Sequence, residues 1–95
     1  MTAALAQLAE LLQKKHWMLA TAESCTGGLI AAACTELAGS SNWFERGFVT
    51  YSNEAKTELL GVNANTIATH GAVSEAVVRD MVEGAVCRSH ARVGV

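Results

Sequence analysis

The stretch TAESCTGG, residues 21–28, places an acid, hydroxyls and a thiol directly before a pair of glycines. Apolar sequence lies on both sides of it, HWMLA before and LIAAAC after. A polar cluster between two buried elements is typical of a strand-to-helix turn that meets a ligand. Ser24 on this turn is a candidate nucleophile, similar in kind to a nucleophile elbow. The candidate donors to an oxyanion or a phosphate are the backbone N–H groups of Cys25, Thr26, Gly27 and Gly28.

A serine hydroxyl is a weak nucleophile and needs a base to take its proton. Lys56 is the candidate base, because an amine in a dry pocket can be held neutral. Tyr51 is a candidate partner that passes the proton or donates to the developing anion. The histidines are predicted to lie elsewhere, since His16 precedes the first strand, His70 lies in a loop and His90 lies near the start of the last strand.

Each of these residues also has a purely structural interpretation. On local signal alone, a Ser-Cys-Thr cluster before a helix is about twice as often an N-cap as a reactive site. Lys56 in a first helical turn is more often a solvated charge, and Tyr51 at a strand end more often packs with its hydroxyl in water. Glu23 can cap the following helix or complement its dipole. The sequence leaves these alternatives open.

The three cysteines show no disulfide pattern, because their number is odd and they form no close pairs. Cys34 and Cys87 lie in helical apolar patterns and are predicted to be core thiols. Cys25 is a second possible nucleophile, but no histidine is placed to activate it. Cys87 and His90 have ligand-like spacing without two further ligands, so no metal site is predicted.

Composition excludes several classes of protein. The 95 residues are enough for one small domain, and 51% hydrophobic with 17% charged residues is typical of a soluble globular chain. The net charge of −2 and scattered basic residues argue against nucleic-acid binding. No apolar run approaches the ~20 residues that span a bilayer, and no signal peptide is apparent. A cytoplasmic protein without a membrane or nucleic-acid partner is predicted.

The predicted elements alternate along the chain in the order α-β-α-β-α-α-β. Helices are predicted at 2–14, 27–37, 53–60, 65–69 and 75–88, and strands at 17–22, 47–52 and 91–95. This order predicts an α/β fold with a mainly parallel sheet flanked by helices. Ligands bind beyond the carboxyl ends of parallel strands, so Ser24, Tyr51 and Lys56 are expected at one edge.

The predicted sheet has little cover for a parallel sheet, which is normally buried on both faces. We therefore expect an incomplete three-layer α/β/α domain, in which residues 1–95 are the N-terminal part of a longer domain or are completed by another chain. The high apolar content also predicts a homo-oligomer.

Four motifs together resemble one known family. They are AESCTGG (22–28), FVTYSNEAK (48–56), LLGV (59–62) and HGAVSE (70–75). In order and spacing they are similar to the C-terminal domain of the CinA family, which includes stand-alone PncC-type nicotinamide-nucleotide amidohydrolases. The resemblance covers nearly the whole chain. It implies hydrolysis of the carboxamide of nicotinamide mononucleotide to nicotinate mononucleotide and ammonia, a step of pyridine nucleotide salvage.

The resemblance also implies roles for individual residues. Ser24 would be the nucleophile, with Tyr51 and Lys56 as its partners, and no cofactor or metal is expected. Family members continue past a VGV strand with a glycine-rich loop, further strands and a helix, which are expected to complete the substrate pocket. Two alternatives stand beside catalysis: a non-catalytic nucleotide-binding or regulatory module in which Ser24 only caps a helix, and an inactive fragment of the amidohydrolase.

Overall fold

A computed structural model describes residues 2–95 and shows an α/β fold with a three-stranded parallel sheet. The helices are α1 (Thr2–Lys15), α2 (Leu29–Glu36), α3 (Asn53–Leu60), α4 (Ala64–His70) and α5 (Glu75–Cys87). The strands are β1 (Leu19–Glu23), β2 (Phe44–Val49) and β3 (Val93–Gly94), and a 3₁₀ turn covers Ser40–Asn42. The predicted fold class and element order are confirmed; the 3₁₀ turn was not predicted.

The sheet has the strand order β2-β1-β3, so β1 is central and pairs in parallel with both neighbours. The last residues of β1 and β2 face each other, with Glu23 opposite Val49. Beyond β3, the N–H of Ala22 donates to the carbonyl of Val95 at 2.8 Å. Because β1 and β2 end together, Ser24 and Thr50 leave the sheet at the same edge.

Helices cover both faces of β1, and the alternation of its side chains decides which residues face which helices. One apolar cluster joins α1 and α2 to the odd-numbered face of β1 through Ala9, Leu12, Leu19, Cys34 and Trp43. The other joins α3, α4 and α5 to the even-numbered face through Ala20, Leu60, Val62, Ile67, Val77, Met81, Ala85 and Ala91. Glu23 lies on the same face of β1 as Leu19, so its carboxylate reaches the backbone of α2.

Strand β2 begins and ends earlier than predicted, at Phe44–Val49 instead of 47–52. The predicted range was wrong because it left out Phe44 and the charged pair Glu45 and Arg46. An edge strand tolerates such residues, and here they bond each other at 2.7 Å. The Glu45 carboxylate also accepts the N–H of His90 at 2.9 Å, which ties this edge of the sheet to the segment after α5.

Helix α2 also begins later than predicted, at Leu29 instead of residue 27. Gly27 and Gly28 have φ values of 61° and 110°, a left-handed region that glycine enters without steric cost. The glycine pair therefore forms the turn itself and does not belong to the helix. As a result, the turn that carries Ser24 is longer than the sequence suggested.

The remaining differences are at element ends. The first strand was predicted at 17–22 but is Leu19–Glu23, so Glu23 belongs to the buried strand. The last strand is Val93–Gly94 within the predicted 91–95. Cys87, predicted to be a core thiol, is exposed because it lies at the end of α5, where the apolar face of the helix stops.

Gly84 allows α5 to pack directly on the end of α3. A Cβ atom at this position would lie 2.0 Å from the carbonyl oxygen of Leu60, closer than any side chain can approach. Leu60 and Val77 are buried beside this contact. The close packing holds α3, the helix that carries Lys56, against α5, which itself packs on β1.

Candidate active site

Ser24 and Lys56 meet at the carboxyl edge of the sheet although they are 32 positions apart in the sequence. The Nζ atom of Lys56 lies 3.2 Å from the Oγ atom of Ser24. Ser24 follows β1, and Lys56 lies in the helix that follows β2. The parallel pairing of these two strands therefore creates the contact, as the topology predicts.

The side chain of Lys56 is buried, so its interpretation as a solvated charge is wrong. Its Nζ atom donates to the carbonyl oxygens of Thr50 at 3.0 Å and Tyr51 at 3.1 Å. Side chains on a helix point toward its N-terminus, which directs this amine back to the end of β2. Within residues 2–95, no carboxylate forms an ion pair with Lys56.

The partners of Lys56 restrict where a proton can move. Carbonyl oxygens only accept hydrogen bonds, so Thr50 and Tyr51 each require an N–H of the amine. In the ammonium form the third N–H donates to Ser24. In the neutral form the lone pair takes that place and can accept the hydroxyl proton. The direction facing Ser24 is thus the one through which this amine exchanges a proton.

Glu23 caps helix α2 from the end of the preceding strand. Its Oε1 atom accepts the Thr26 hydroxyl at 2.7 Å and the N–H groups of Gly28 and Ile30, both at 3.0 Å. Its Oε2 atom accepts the N–H of Ala31 at 2.9 Å. Burial raises the pKa of this carboxyl, but the four hydrogen bonds outweigh it and hold the pKa below its ordinary value. Of the interpretations of Glu23, helix capping is the one observed.

The cap made by Glu23 changes the roles available to the turn. The N–H of Gly28 is taken by the carboxylate and that of Gly27 donates to the carbonyl of Ser24 at 3.0 Å. The prediction of free donors at these two glycines is therefore wrong. The N–H groups of Cys25 and Thr26 have no acceptor within residues 2–95.

The hydroxyl of Ser24 does not cap α2, so the simplest structural interpretation of the serine is also wrong. The N-cap position of the helix is Gly28, which has no side chain to cap with. Sequence reasoning treated Glu23 as one alternative among several and missed its four partners. The signal that could have found them is the spacing of Glu23 from Leu19. Residues four apart in a strand lie on the same face, so the side chain of Glu23 is predicted on the face that α2 covers.

Tyr51 contributes its backbone carbonyl to the site rather than its phenol. Its side chain is 77% exposed, and the phenol forms no hydrogen bond within the described residues. The structure therefore brings Ser24 and Lys56 together and leaves the phenol of Tyr51 apart from them. Its predicted part in proton transfer stays a prediction.

Other reactive groups are separate from this contact. Burial, together with the charge of Glu23, raises the pKa of the Cys34 thiol, which keeps it protonated inside α2. Cys25 is exposed beside Ser24. In the described part of the chain, no three His, Cys, Asp or Glu residues lie close enough to share a metal ion. None of the helices there is both long and apolar enough to cross a membrane.

Comparison with known proteins identifies the family. The family model for the CinA C-terminal domain matches residues 1–95. The chain belongs to the CinA C-terminal domain family. The resemblance of the four sequence motifs is thereby confirmed.

Curated relatives of this CinA-family chain are named for an enzymatic activity. Nicotinamide-nucleotide amidohydrolase PncC of Enterobacter agglomerans is 55% identical over 89 residues, covering 94% of this chain and 54% of the relative. The protein of the same name from Escherichia coli K12 is 56% identical over 80 residues, covering 84% and 48%. The chain thus spans about half the length of the curated relatives it matches.

Solved structures of the family share the fold. The competence/damage inducible protein CihA from Agrobacterium tumefaciens aligns with a TM-score of 0.92 at 48% identity, covering 95% of this chain and 55% of the other. The competence damage-inducible protein A from Klebsiella pneumoniae aligns with a TM-score of 0.94 at 42% identity, covering 98% and 58%.

Proposed function

We propose that this chain carries the nucleophile and base of an amidohydrolase that converts nicotinamide mononucleotide to nicotinate mononucleotide and ammonia. The observation that carries the proposal is the 3.2 Å contact between the Ser24 hydroxyl and the buried Lys56 amine. Relatives named nicotinamide-nucleotide amidohydrolase support the choice of substrate. The partner is thus a small nucleotide.

The reaction begins when Lys56 takes the proton of Ser24. This step requires the neutral form of the amine, which alone carries a lone pair that can accept a proton. Its two N–H groups serve the carbonyls of Thr50 and Tyr51, and its lone pair faces Ser24. The resulting alkoxide attacks the carboxamide carbon of the substrate.

The attack places negative charge on the former carboxamide oxygen. The N–H groups of Cys25 and Thr26 follow the nucleophile and have no acceptor among the described residues. We assign the oxyanion to them, where each donor contributes about 3 kcal/mol of transition-state stabilisation. This assignment is narrower than the predicted set, because Gly27 and Gly28 already donate to other acceptors.

The intermediate collapses by breaking the bond between the carboxamide carbon and nitrogen. Lys56 returns the proton to the leaving nitrogen, so ammonia departs and an ester remains on Ser24. Water then attacks the ester while Lys56 again takes a proton, which returns to the Ser24 oxygen. The balance is one carboxamide and one water consumed, and one acid and one ammonia formed.

The alternative of a non-catalytic nucleotide-binding module has less support. It needs the N-terminus of α2 to hold a phosphate, but the donors of that helix are bonded to the Glu23 carboxylate. It also needs Ser24 to cap α2, but the N-cap position of this helix is Gly28.

The predicted homo-oligomer stays a prediction. Gel filtration with light scattering tests it.

The test is ammonia release from nicotinamide mononucleotide by the 95-residue chain. We expect Ser24→Ala to lose about 10³-fold or more of the turnover, as removal of a nucleophile does in serine hydrolases. The matched control is Ser52→Ala, a serine in the neighbouring turn that should keep its turnover. Wild-type turnover in Ser24→Ala would refute the mechanism. A wild-type chain that binds the nucleotide without releasing ammonia would favour the binding module, and one that does neither would favour the inactive fragment.

A further inference from the structure

We propose that Glu23 is the positioning residue of this site, because its carboxylate fixes the turn that holds the Ser24 hydroxyl against Lys56. The inference rests on the proposed function, since positioning matters only if Ser24 reacts. Glu23 itself touches neither the Ser24 hydroxyl nor the Lys56 amine. It acts through the backbone on either side.

The side chain of Glu23 closes the turn from within. Its four hydrogen bonds span the turn and the first residues of α2, from the Thr26 hydroxyl to the N–H of Ala31. The two glycines between them have left-handed φ values and little conformational preference of their own. Two backbone bonds also close the turn, from the N–H of Gly27 to the carbonyl of Ser24 and from the N–H of Leu29 to that of Thr26, both at 3.0 Å. The carboxylate adds the bonds that join the turn to Ile30 and Ala31.

The backbone of Glu23 is tied to the other half of the site. Its carbonyl accepts the N–H of Thr50 at 2.8 Å, and the carbonyl of Thr50 accepts the amine of Lys56 at 3.0 Å. The amine reaches Ser24 at 3.2 Å, and Ser24 is covalently bonded to Glu23. These four residues form a closed ring of contacts, so a shift at Glu23 changes the distance between nucleophile and base.

Both carboxylate oxygens are needed for this arrangement. Oε1 accepts three hydrogen bonds and Oε2 accepts the N–H of Ala31. A glutamine has the same shape but replaces one oxygen with an amide nitrogen, which would place two donors against each other. Glu23→Gln is therefore the conservative change that loosens the turn without emptying it.

The first experiment measures the reactivity of Ser24 with a fluorophosphonate probe, located by mass spectrometry. We expect the labelling rate constant of Glu23→Gln to be at least about tenfold lower, because displacing a reacting atom by ~1 Å can cost 10²-fold. The control is Ser74→Ala, which removes the N-cap of α5, a bond to Val77 that shares no residue with the ring of contacts. It should label within about twofold of wild type, because the Ser74 hydroxyl bonds only Gly71 and Val77 among the described residues and belongs to neither turn of the site.

A second readout separates positioning from general stability. On nicotinamide mononucleotide, Glu23→Gln should lower kcat at least about tenfold with KM within about twofold, because only transition-state geometry is lost. Both rates are taken where circular dichroism shows the variant folded. If Glu23→Gln does not fold, Thr26→Val removes one bond to the carboxylate and should slow labelling about threefold.

The inference would be overturned if a folded Glu23→Gln labelled at the same rate as wild type. Where Glu23→Gln does not fold, equal rates in wild type and Thr26→Val would overturn it. Both outcomes hold whatever the chain hydrolyses. Labelling of wild-type Ser24 without ammonia release would instead refute the proposed function, and the variants would still decide the role of Glu23. A wild-type Ser24 that does not label would overturn both.

Discussion

The two turns at the carboxyl edge of the sheet have the same topology but use their serines differently. After β2, the Ser52 hydroxyl accepts the N–H of Ala55 at 3.0 Å and caps α3. After β1, the Glu23 carboxylate caps α2, and the Ser24 hydroxyl contacts Lys56. A serine at such a turn is available for chemistry only when another group satisfies the helix donors.

The two turns also contribute different groups to one site. The turn after β1 supplies the hydroxyl and two unoccupied N–H groups. The turn after β2 supplies the carbonyls of Thr50 and Tyr51, which hold the amine in place. Each turn alone is an ordinary helix start, and the site exists because parallel pairing sets them side by side.

Removing the amine of Lys56 should have the largest effect on turnover, because this amine joins the two turns. We expect Lys56→Met to lower ammonia release from nicotinamide mononucleotide about 10³-fold or more, because Ser24 then lacks a base. The control is Lys14→Met, an exposed lysine of α1 paired with Glu10. A Lys56→Met turnover within tenfold of wild type (roughly the contribution of a minor proton-transfer group) would show that the amine is not the base.

The two caps should differ in their contribution to stability. Glu23→Ala leaves three part-buried N–H groups at the start of α2 without their acceptor and should lower the free energy of unfolding by about 3 kcal/mol. Ser52→Ala removes one exposed cap and should cost about 1 kcal/mol. Urea unfolding at neutral pH measures both. Equal losses would show that the buried carboxylate is no stronger a cap than the exposed hydroxyl.

Acid should narrow the stability difference between wild type and Glu23→Gln. The folded-state pKa of Glu23 lies below its ordinary value. At a pH between the folded-state pKa and the ordinary value, Glu23 is therefore ionised in the folded chain and takes up a proton on unfolding. The carboxylate's contribution is complete above about pH 4.3, the ordinary pKa of glutamate, and is lost as the pH falls through the folded-state pKa. Urea unfolding of both proteins at pH 7 and in acid measures the difference. A gap that widens in acid would contradict the assigned hydrogen bonds.

The smallest expected effect concerns the phenol of Tyr51. Because it is exposed and the residue serves Lys56 through its carbonyl, Tyr51→Phe should keep turnover within about threefold, well below the usual effect of losing an acid–base group. Steady-state ammonia release measures this. A loss of tenfold or more would instead support the proton-passing role that the sequence suggested.

Several features could be predicted from the sequence because they depend on local pattern. Apolar periodicity predicted the helices and strands, and their alternation predicted a parallel sheet. The rule for carboxyl ends then placed Ser24 and Lys56 at one edge. These inferences need only residue type and spacing.

The allocation of hydrogen bonds was decided by the tertiary structure. Ser24, Thr26 and Glu23 were all possible caps for α2, and a local pattern does not rank them. Strand β1 continues through Glu23, so the side chain of Glu23 lies on the face that α2 covers. Its carboxylate is therefore the group that accepts the N–H groups of the helix. The amine of Lys56 depends on tertiary structure too, since it contacts the Ser24 hydroxyl from the turn after β1 in addition to the carbonyls of Thr50 and Tyr51 just before its own helix. Which acceptor bonds a given N–H group depends on distances between separate segments of the chain, and the sequence does not give those distances.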